Sequence, residues 1–340
     1  MQLFKINKKV DKIFPITKFI LFLLFGFNNL IFCSYFNSGE KLEFISANPF
    51  SFFHIITDLK NQKTQNVHGI LRFPSQTIEK SYPLVLGVNG SKNWADPHLE
   101  YLDMYRDMGF ATFEIQSFNS RNVNSTVGDQ TTVTTAMMIL DSYKALEKLG
   151  FDHRIDIDNV AITGWSLGGG VALFSAWEPL ILAIGTKERF KAHLSLYPPC
   201  LVELELIKFS NAPIHILIGE KDDWVTAYAC EKLVKDLTAN DVNIDITIYE
   251  DAHHGFDRKG SIIKEENGYA TGDCHFRMRS DGALLMNFFD IPMITPLRQK
   301  VALGLCAERG TTIGGNPIAR EKSFNFAQNF MEKHLVKAIK

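Results

Sequence analysis

A serine set between two glycines, in Gly164-Trp165-Ser166-Leu167-Gly168, follows the apolar run Val160–Thr163 and precedes the helix-compatible stretch Val171–Ala176. Strand, tight turn and helix in that order suit a nucleophile held on strained backbone, where side chains at the glycine positions would collide with neighbouring elements. Such a turn lifts the Ser166 hydroxyl clear of a sheet and aims the N–H of Leu167 at the place where an oxyanion forms. A hydroxyl is a weak nucleophile at neutral pH, so it needs a base, and the base needs a group to orient it.

Both partners stand downstream, in the chain order serine, acid, histidine. The run Ile214–Ile218 opens into Gly219-Glu220-Lys221-Asp222-Asp223-Trp224-Val225. A carboxylate just past the C-terminal end of a parallel strand lies on the face where active sites gather. Asp222 is the first choice, because G-x-x-D-x-x-V puts it at the first exposed corner of the loop; Asp223 is the alternative. The run Ile244–Tyr249 opens into Glu250-Asp251-Ala252-His253-His254-Gly255-Phe256. His254 is the expected base, since Gly255 leaves room for its ring, with His253 as the alternative. The two histidines and Asp257 lack further ligands at useful spacing, so no metal is expected, and no organic cofactor is needed.

A second oxyanion donor is expected from the loop after an earlier strand. Leu84–Val88 opens into Asn89-Gly90-Ser91, whose small residues let backbone approach a substrate oxygen, so the N–H groups of Ser91 and Leu167 are the candidate pair. Asn89, Gly90 and Trp165 are candidate substrate contacts. Trp94 and Trp224 join Trp165 as aromatics near the proposed loops that could line an apolar pocket.

These residues need a scaffold that brings strand ends together. From Tyr82 onward, short apolar runs alternate with helical periods. The runs Leu84–Val88, Ala111–Ile115, Val160–Thr163, His193–Tyr197, Ile214–Ile218 and Ile244–Tyr249 are apolar rather than alternating, as in a parallel sheet covered on both faces. Helical spacing follows Asp96-Pro97, spans Val133 to Leu146 ahead of Gly150, and recurs at Cys230–Leu237 and Ala327–Leu335. The pattern predicts an α/β fold, a mostly parallel sheet with helices on both faces. Residues 257–315, rich in glycine and polar side chains, break the rhythm and are expected as an elaborated loop region.

The chain of 340 residues carries 46% hydrophobic and 22% charged residues, which excludes collagen-like, coiled-coil and wholly disordered readings. Its formal net charge of −2 gives no footprint for nucleic acid. Residues 1–33 hold five of the 36 basic residues and one of the 38 acidic ones, and a lysine-rich start runs into the apolar stretch Phe19–Phe27. That layout predicts a signal peptide over residues 1–33, with an uncleaved membrane anchor as the alternative, and a single domain over residues 34–340. Contact with a membrane is expected only through such a leader or a lipid anchor at Cys33. The four cysteines beyond it, Cys200, Cys230, Cys274 and Cys306, form no C-x-x-C and are an even number, which in an exported chain favours two disulfides.

Taken together, several segments resemble the dienelactone hydrolase family of the α/β-hydrolases, in its exported serine branch: Val88–Ser91, Gln116–Arg121, Arg154–Asp156, Gly164–Gly169, Ala192–Cys200, Gly219–Trp224, Ala252–Asp257 and Gly310–Pro317. The resemblance implies the α/β-hydrolase fold and hydrolysis of a small carboxylic ester or lactone through an acyl-enzyme. Three positions depart from the family pattern. Ser166 stands where the namesake enzymes have cysteine, Asn89-Gly90 where His-Gly or Glu is usual, and Gln116 where the acid of an Asp-Ser-Phe motif is usual. The resemblance further implies that Arg121 contacts a substrate carboxylate, and that Cys200 pairs with Cys230, leaving Cys274 for Cys306. A peptidase or acyltransferase on the same scaffold, or a non-catalytic binding protein that kept the fold, are the competing expectations.

Overall fold

The computed structural model describes residues 39–75 and 81–335. The expected leader over residues 1–33 lies outside the described residues.

Thirteen strands and eight helices are described. In chain order they are β1 (Glu40–Ala47), α1 (Phe52–Asp58), β2 (Thr64–Arg72), β3 (Tyr82–Val88), α2 (Asp96–Asp107), β4 (Ala111–Ile115), α3 (Thr135–Leu149), β5 (Ile155–Trp165), α4 (Leu167–Phe174), α5 (Glu178–Ile184), β6 (Ala192–Leu196), β7 (Val202–Leu204), β8 (Ile214–Gly219), α6 (Ala227–Thr238), β9 (Ile244–Tyr249), β10 (Ile263–Ala270), β11 (Phe276–Met278), β12 (Leu284–Leu285), α7 (Pro296–Cys306), β13 (Glu308–Ile313) and α8 (Pro317–Leu335). Among the described residues no helix is long and apolar enough to cross a membrane.

Eight strands form one sheet in the order β1-β2-β4-β3-β5-β6-β8-β9. The pairs β1–β2 and β2–β4 are antiparallel, and the pairs from β4 through β9 are parallel. Every residue of β4, β6 and β8 is buried, which is why their sequences read as continuous apolar runs: both faces are covered. Helices α2 and α8 pack together against β3–β6, while α3 packs on α4 and on β1, β2, β4 and β5. Sequence and structure differ slightly at the start of α2. Asp96 lies in the first turn rather than at the cap, and His98 Nδ1 accepts the N–H of Ala95.

The order places β3 and β5 at the centre, with the chain reversing direction across the sheet between them, and this is where open α/β sheets gather their ligands. The C-terminal ends of β3, β5, β8 and β9 carry the loops singled out by sequence.

Residues 257–315 are not a loop. They hold the pair β10–β13, the helix α7, and strands β11 and β12, which join β7 in a second small sheet. Cys274, Phe276, Met286, Met293, Ala302 and Leu303 form a separate small apolar core there. Strands β11 and β12 are two or three residues long and leave no readable period, and β10 and α7 are mostly exposed, so neither shows a buried apolar pattern in sequence.

Disulfides join Cys200 to Cys230 and Cys274 to Cys306, across sequence separations of 30 and 32. The first ties the segment after β6 to α6; the second closes the excursion that carries β11, β12 and α7. Two disulfides fit an oxidising compartment. Closing a loop of that length constrains the unfolded chain by about 3–4 kcal/mol. Replacing Cys200 and Cys230 together by serine is therefore expected to lower unfolding free energy by about that amount, read from urea denaturation midpoints.

Candidate active site

The turn between β5 and α4 is built by backbone contact. A Cβ at Gly164 would stand 2.0 Å from the carbonyl oxygen of Gly168, and one at Gly168 would stand 2.1 Å from that of Val88. Glycine alone allows the strand end, the turn and β3 to approach so closely. Between them Ser166 has φ 55° and ψ −114°, an unfavourable conformation for a residue with a side chain. It is held there from outside: the Ser166 N–H donates to Leu196 O of β6 at 2.9 Å.

Two further loops reach this serine. A Cβ at Gly219 would lie 2.2 Å from Ala252 O, so the loops after β8 and β9 touch at bare backbone. His254 Nε2 lies 2.9 Å from Ser166 Oγ, and His254 Nδ1 lies 2.8 Å from Asp222 Oδ2. An ionised carboxylate only accepts, so Nδ1 carries the hydrogen and Nε2 is free to accept the serine hydroxyl. The other oxygen of Asp222 accepts the N–H groups of Trp224 and Val225, each at 3.0 Å, which anchors the carboxylate against rotation. Asp222 and His254 are buried, and Trp224 and Tyr197 pack on the imidazole with ring centroids 4.9 and 4.7 Å away. The arrangement can pass a proton from hydroxyl to imidazole while a fixed negative charge faces the far ring nitrogen.

The alternatives from sequence fall elsewhere. Asp223 accepts both the N–H and the hydroxyl of Thr312, at 2.8 and 2.7 Å, and so fastens β13 beside the site. His253 Nδ1 is buried without a partner and makes no contact with Ser166.

Leu167 opens α4, so its N–H has no partner within the helix. Ser91 lies across from it; its carbonyl accepts Thr126 N–H and Ser125 Oγ, which fixes the peptide. Ser91 and Ser166 line both recesses of the site, and Gly90 lines the smaller one.

Three expectations need correction. Arg121 is buried and forms a bidentate pair with Asp141, at 2.6 and 3.0 Å. Its remaining donors go to Asn48 Oδ1, Ser117 O and Ala47 O, so none is left for a ligand. Trp165 is fully buried, stacked on His98 at 4.6 Å, and lines neither recess. Asn89 is also buried outside both recesses, its amide donating to Gly90 O, and it supports the loop from behind. Of the three tryptophans near these loops, Trp224 alone borders the recesses.

Sequence reading missed Tyr197 and its partner. The Tyr197 hydroxyl donates to Asp257 Oδ1 at 2.9 Å, behind the imidazole. Asp257 is buried with its other oxygen unpartnered, and burial, opposed by Tyr197 and by the charges of Arg258 and Arg320, raises its pKa to about 6. His98, stacked under Trp165, is pushed down to about 3, by burial first and by Arg258 second, and is neutral at pH 7. The signal for Tyr197 was its place at the end of a buried strand, which many core tyrosines share.

Among the described residues no group of three or more histidine, cysteine, aspartate or glutamate side chains is placed to hold a metal.

Comparison with known proteins agrees with this architecture. The profile of the dienelactone hydrolase family matches residues 103–280. A dienelactone hydrolase-like promiscuous phosphotriesterase from metagenomic libraries superposes with a TM-score of 0.53 at 13% identity, over 88% of this chain and 100% of its own. The protein m3DLH gives 0.55 at 14% identity, over 87% and 99%. At such identities the likeness concerns the fold. No curated protein matches the sequence.

Two outcomes follow. Arg121→Ala leaves Asp141 buried and uncompensated, so it is expected to cost roughly 3–5 kcal/mol of stability, read by urea denaturation; a ligand-binding guanidinium would leave stability unchanged. Asp257, with its folded pKa above the unfolded value of 3.8, binds a proton more tightly when folded. Its contribution is full below pH 3.8 and is lost as pH rises through about 6. Asp257→Asn abolishes that loss, so its stability relative to the parent is expected to rise between pH 4 and pH 8 by on the order of 3 kcal/mol.

Proposed function

Since the chain belongs to the dienelactone hydrolase family, we propose that it is a serine hydrolase that cleaves carboxylic esters or lactones through an acyl-enzyme. The observation that carries this reading is the unbroken hydrogen-bonded line from Ser166 through His254 to Asp222.

In this reading Ser166 Oγ attacks the carbonyl carbon as its proton passes to His254 Nε2. The new C–O bond pushes the carbonyl electrons onto oxygen, and that oxyanion is met by the N–H groups of Leu167 and Ser91. Each such donor contributes about 3–4 kcal/mol in studied hydrolases. Asp222 holds the imidazole in the tautomer that leaves Nε2 open and stabilises the imidazolium. Collapse of the tetrahedral adduct expels the alcohol oxygen, which takes the proton from Nε2. For a lactone the alcohol stays attached to the acyl group. Water then repeats the cycle in reverse: His254 removes its proton, the acyl–Ser166 bond breaks, and carboxylic acid and free serine are restored.

The two disulfides and the charge layout of residues 1–33 support an exported enzyme. No cofactor takes part in this reading.

A fluorophosphonate probe is expected to label Ser166 in the folded protein. Ser166→Ala should abolish labelling and lower ester hydrolysis by roughly 10³-fold or more, and Asp222→Asn should lower it by up to ~10⁴-fold through the wrong tautomer. Full activity in Ser166→Ala would falsify the assignment of the nucleophile.

A further inference from the structure

Two recesses of opposite character meet at Ser166. The larger is a cavity of about 200 Å³. Ser166, Leu167 and Ser91 stand at its mouth, and its walls include Phe52, Phe174, Trp224, Phe276, Met278 and Leu303. Among the described residues that line it, none is charged, and His254 is not among them. Several polar groups on its wall are already bound: Thr271 Oγ1 donates to Trp224 O, Gln299 Nε2 to Gln130 O, and Thr134 Oγ1 to Pro49 O. The smaller recess is about 30 Å³, and its lining includes His254, Tyr197, His98 and Arg258.

The position of His254 orients the substrate. Its Nε2 must protonate the departing alcohol oxygen and later deprotonate the attacking water. Both belong on the side that the imidazole lines, the smaller recess. With the carbonyl oxygen held between Leu167 and Ser91, the acyl substituent then points into the larger cavity. An apolar cavity of about 150 Å³ already accepts a benzene ring, so this one has room for roughly six to eight carbons. A charged acyl group entering it would lose its hydration with no charged partner in return.

We propose that the acyl side of the substrate is an uncharged apolar chain or ring of about that size, that the alcohol side is small, and that the disulfide-closed excursion sets the limit. This rests on the serine hydrolase reading above. Met278 on β11 and Leu303 on α7 contribute the excursion's wall, and the Cys274–Cys306 bond ties the start of one to the end of the other. The structure thus divides labour: the sheet edge carries the reacting groups, and residues 271–306 measure the acyl group.

The test is a pair of isomeric esters, methyl octanoate and heptyl acetate, which have the same composition with acyl and alcohol lengths exchanged. Each methylene moved into the cavity is expected to raise kcat/KM about fourfold until the cavity fills, so methyl octanoate should exceed heptyl acetate by at least tenfold. Met278→Trp and Leu303→Trp should each reduce the ratio of methyl octanoate to methyl acetate by at least tenfold. Should either tryptophan fail to fold by circular dichroism, Met278→Ala provides the opposite change and must raise the ratio of methyl decanoate to methyl octanoate. Hydrolysis with equal or inverted rates for the isomers, or ratios unmoved by these substitutions, overturns this proposal and leaves the serine hydrolase reading standing. No hydrolysis of any ester together with no fluorophosphonate adduct on Ser166 overturns both.

Discussion

The hydrogen bond between Ser166 and His254 depends on backbone running against backbone at three places where no side chain fits. Gly164 and Gly168 let the turn after β5 close onto itself and onto β3, and Gly219 lets the loop after β8 touch the loop after β9. A methyl group at any of them would separate elements by more than the hydrogen bonds of the site can tolerate, because such bonds span only about 2.7–3.2 Å. The strained conformation of Ser166 persists because its neighbours over-determine it: its N–H is held by β6 and its carbonyl accepts Gly170 N–H within α4. The serine is therefore aligned before any substrate arrives, which is the condition under which fixed dipoles are most effective.

Around this rigid edge the charged residues divide into those that face the reaction and those that hold the frame. Asp222 and Asp223 are neighbours in the chain, yet one orients the imidazole while the other fastens β13. Arg121 and Asp141 neutralise each other inside the protein, linking the segment after β4 to α3. A buried guanidinium with every donor occupied has no remaining capacity for a ligand, whatever its distance from the site.

The walls of the larger cavity draw on several further segments. The sheet ends contribute Ser166, Leu167 and Trp224, while the segment at Phe50–Phe52 and the excursion at residues 271–306 close a large part of the rest. The excursion has its own small core and its own disulfide, and it joins the site loop where Thr271 donates to Trp224 O.

Much of this is legible in the sequence. Apolar runs with a buried-strand pattern marked the parallel core, and Gly164-Trp165-Ser166-Leu167-Gly168 marked the turn, because a close backbone approach leaves glycines as its trace. The excursion was opaque, since strands as short as β12 carry no period. Trp165 and Asn89 adjoin site residues in the chain, and Arg121 was suggested by the family resemblance, but neither sign says which way a side chain points. The order and chemistry of serine, acid and histidine are properties of the sequence itself, because residue type and strand-end position are local. Which of two adjacent aspartates meets the imidazole, which arginine is already spent, and how large a group fits beside Ser166 were decided by tertiary structure alone, because each depends on distances between segments that are far apart in the chain.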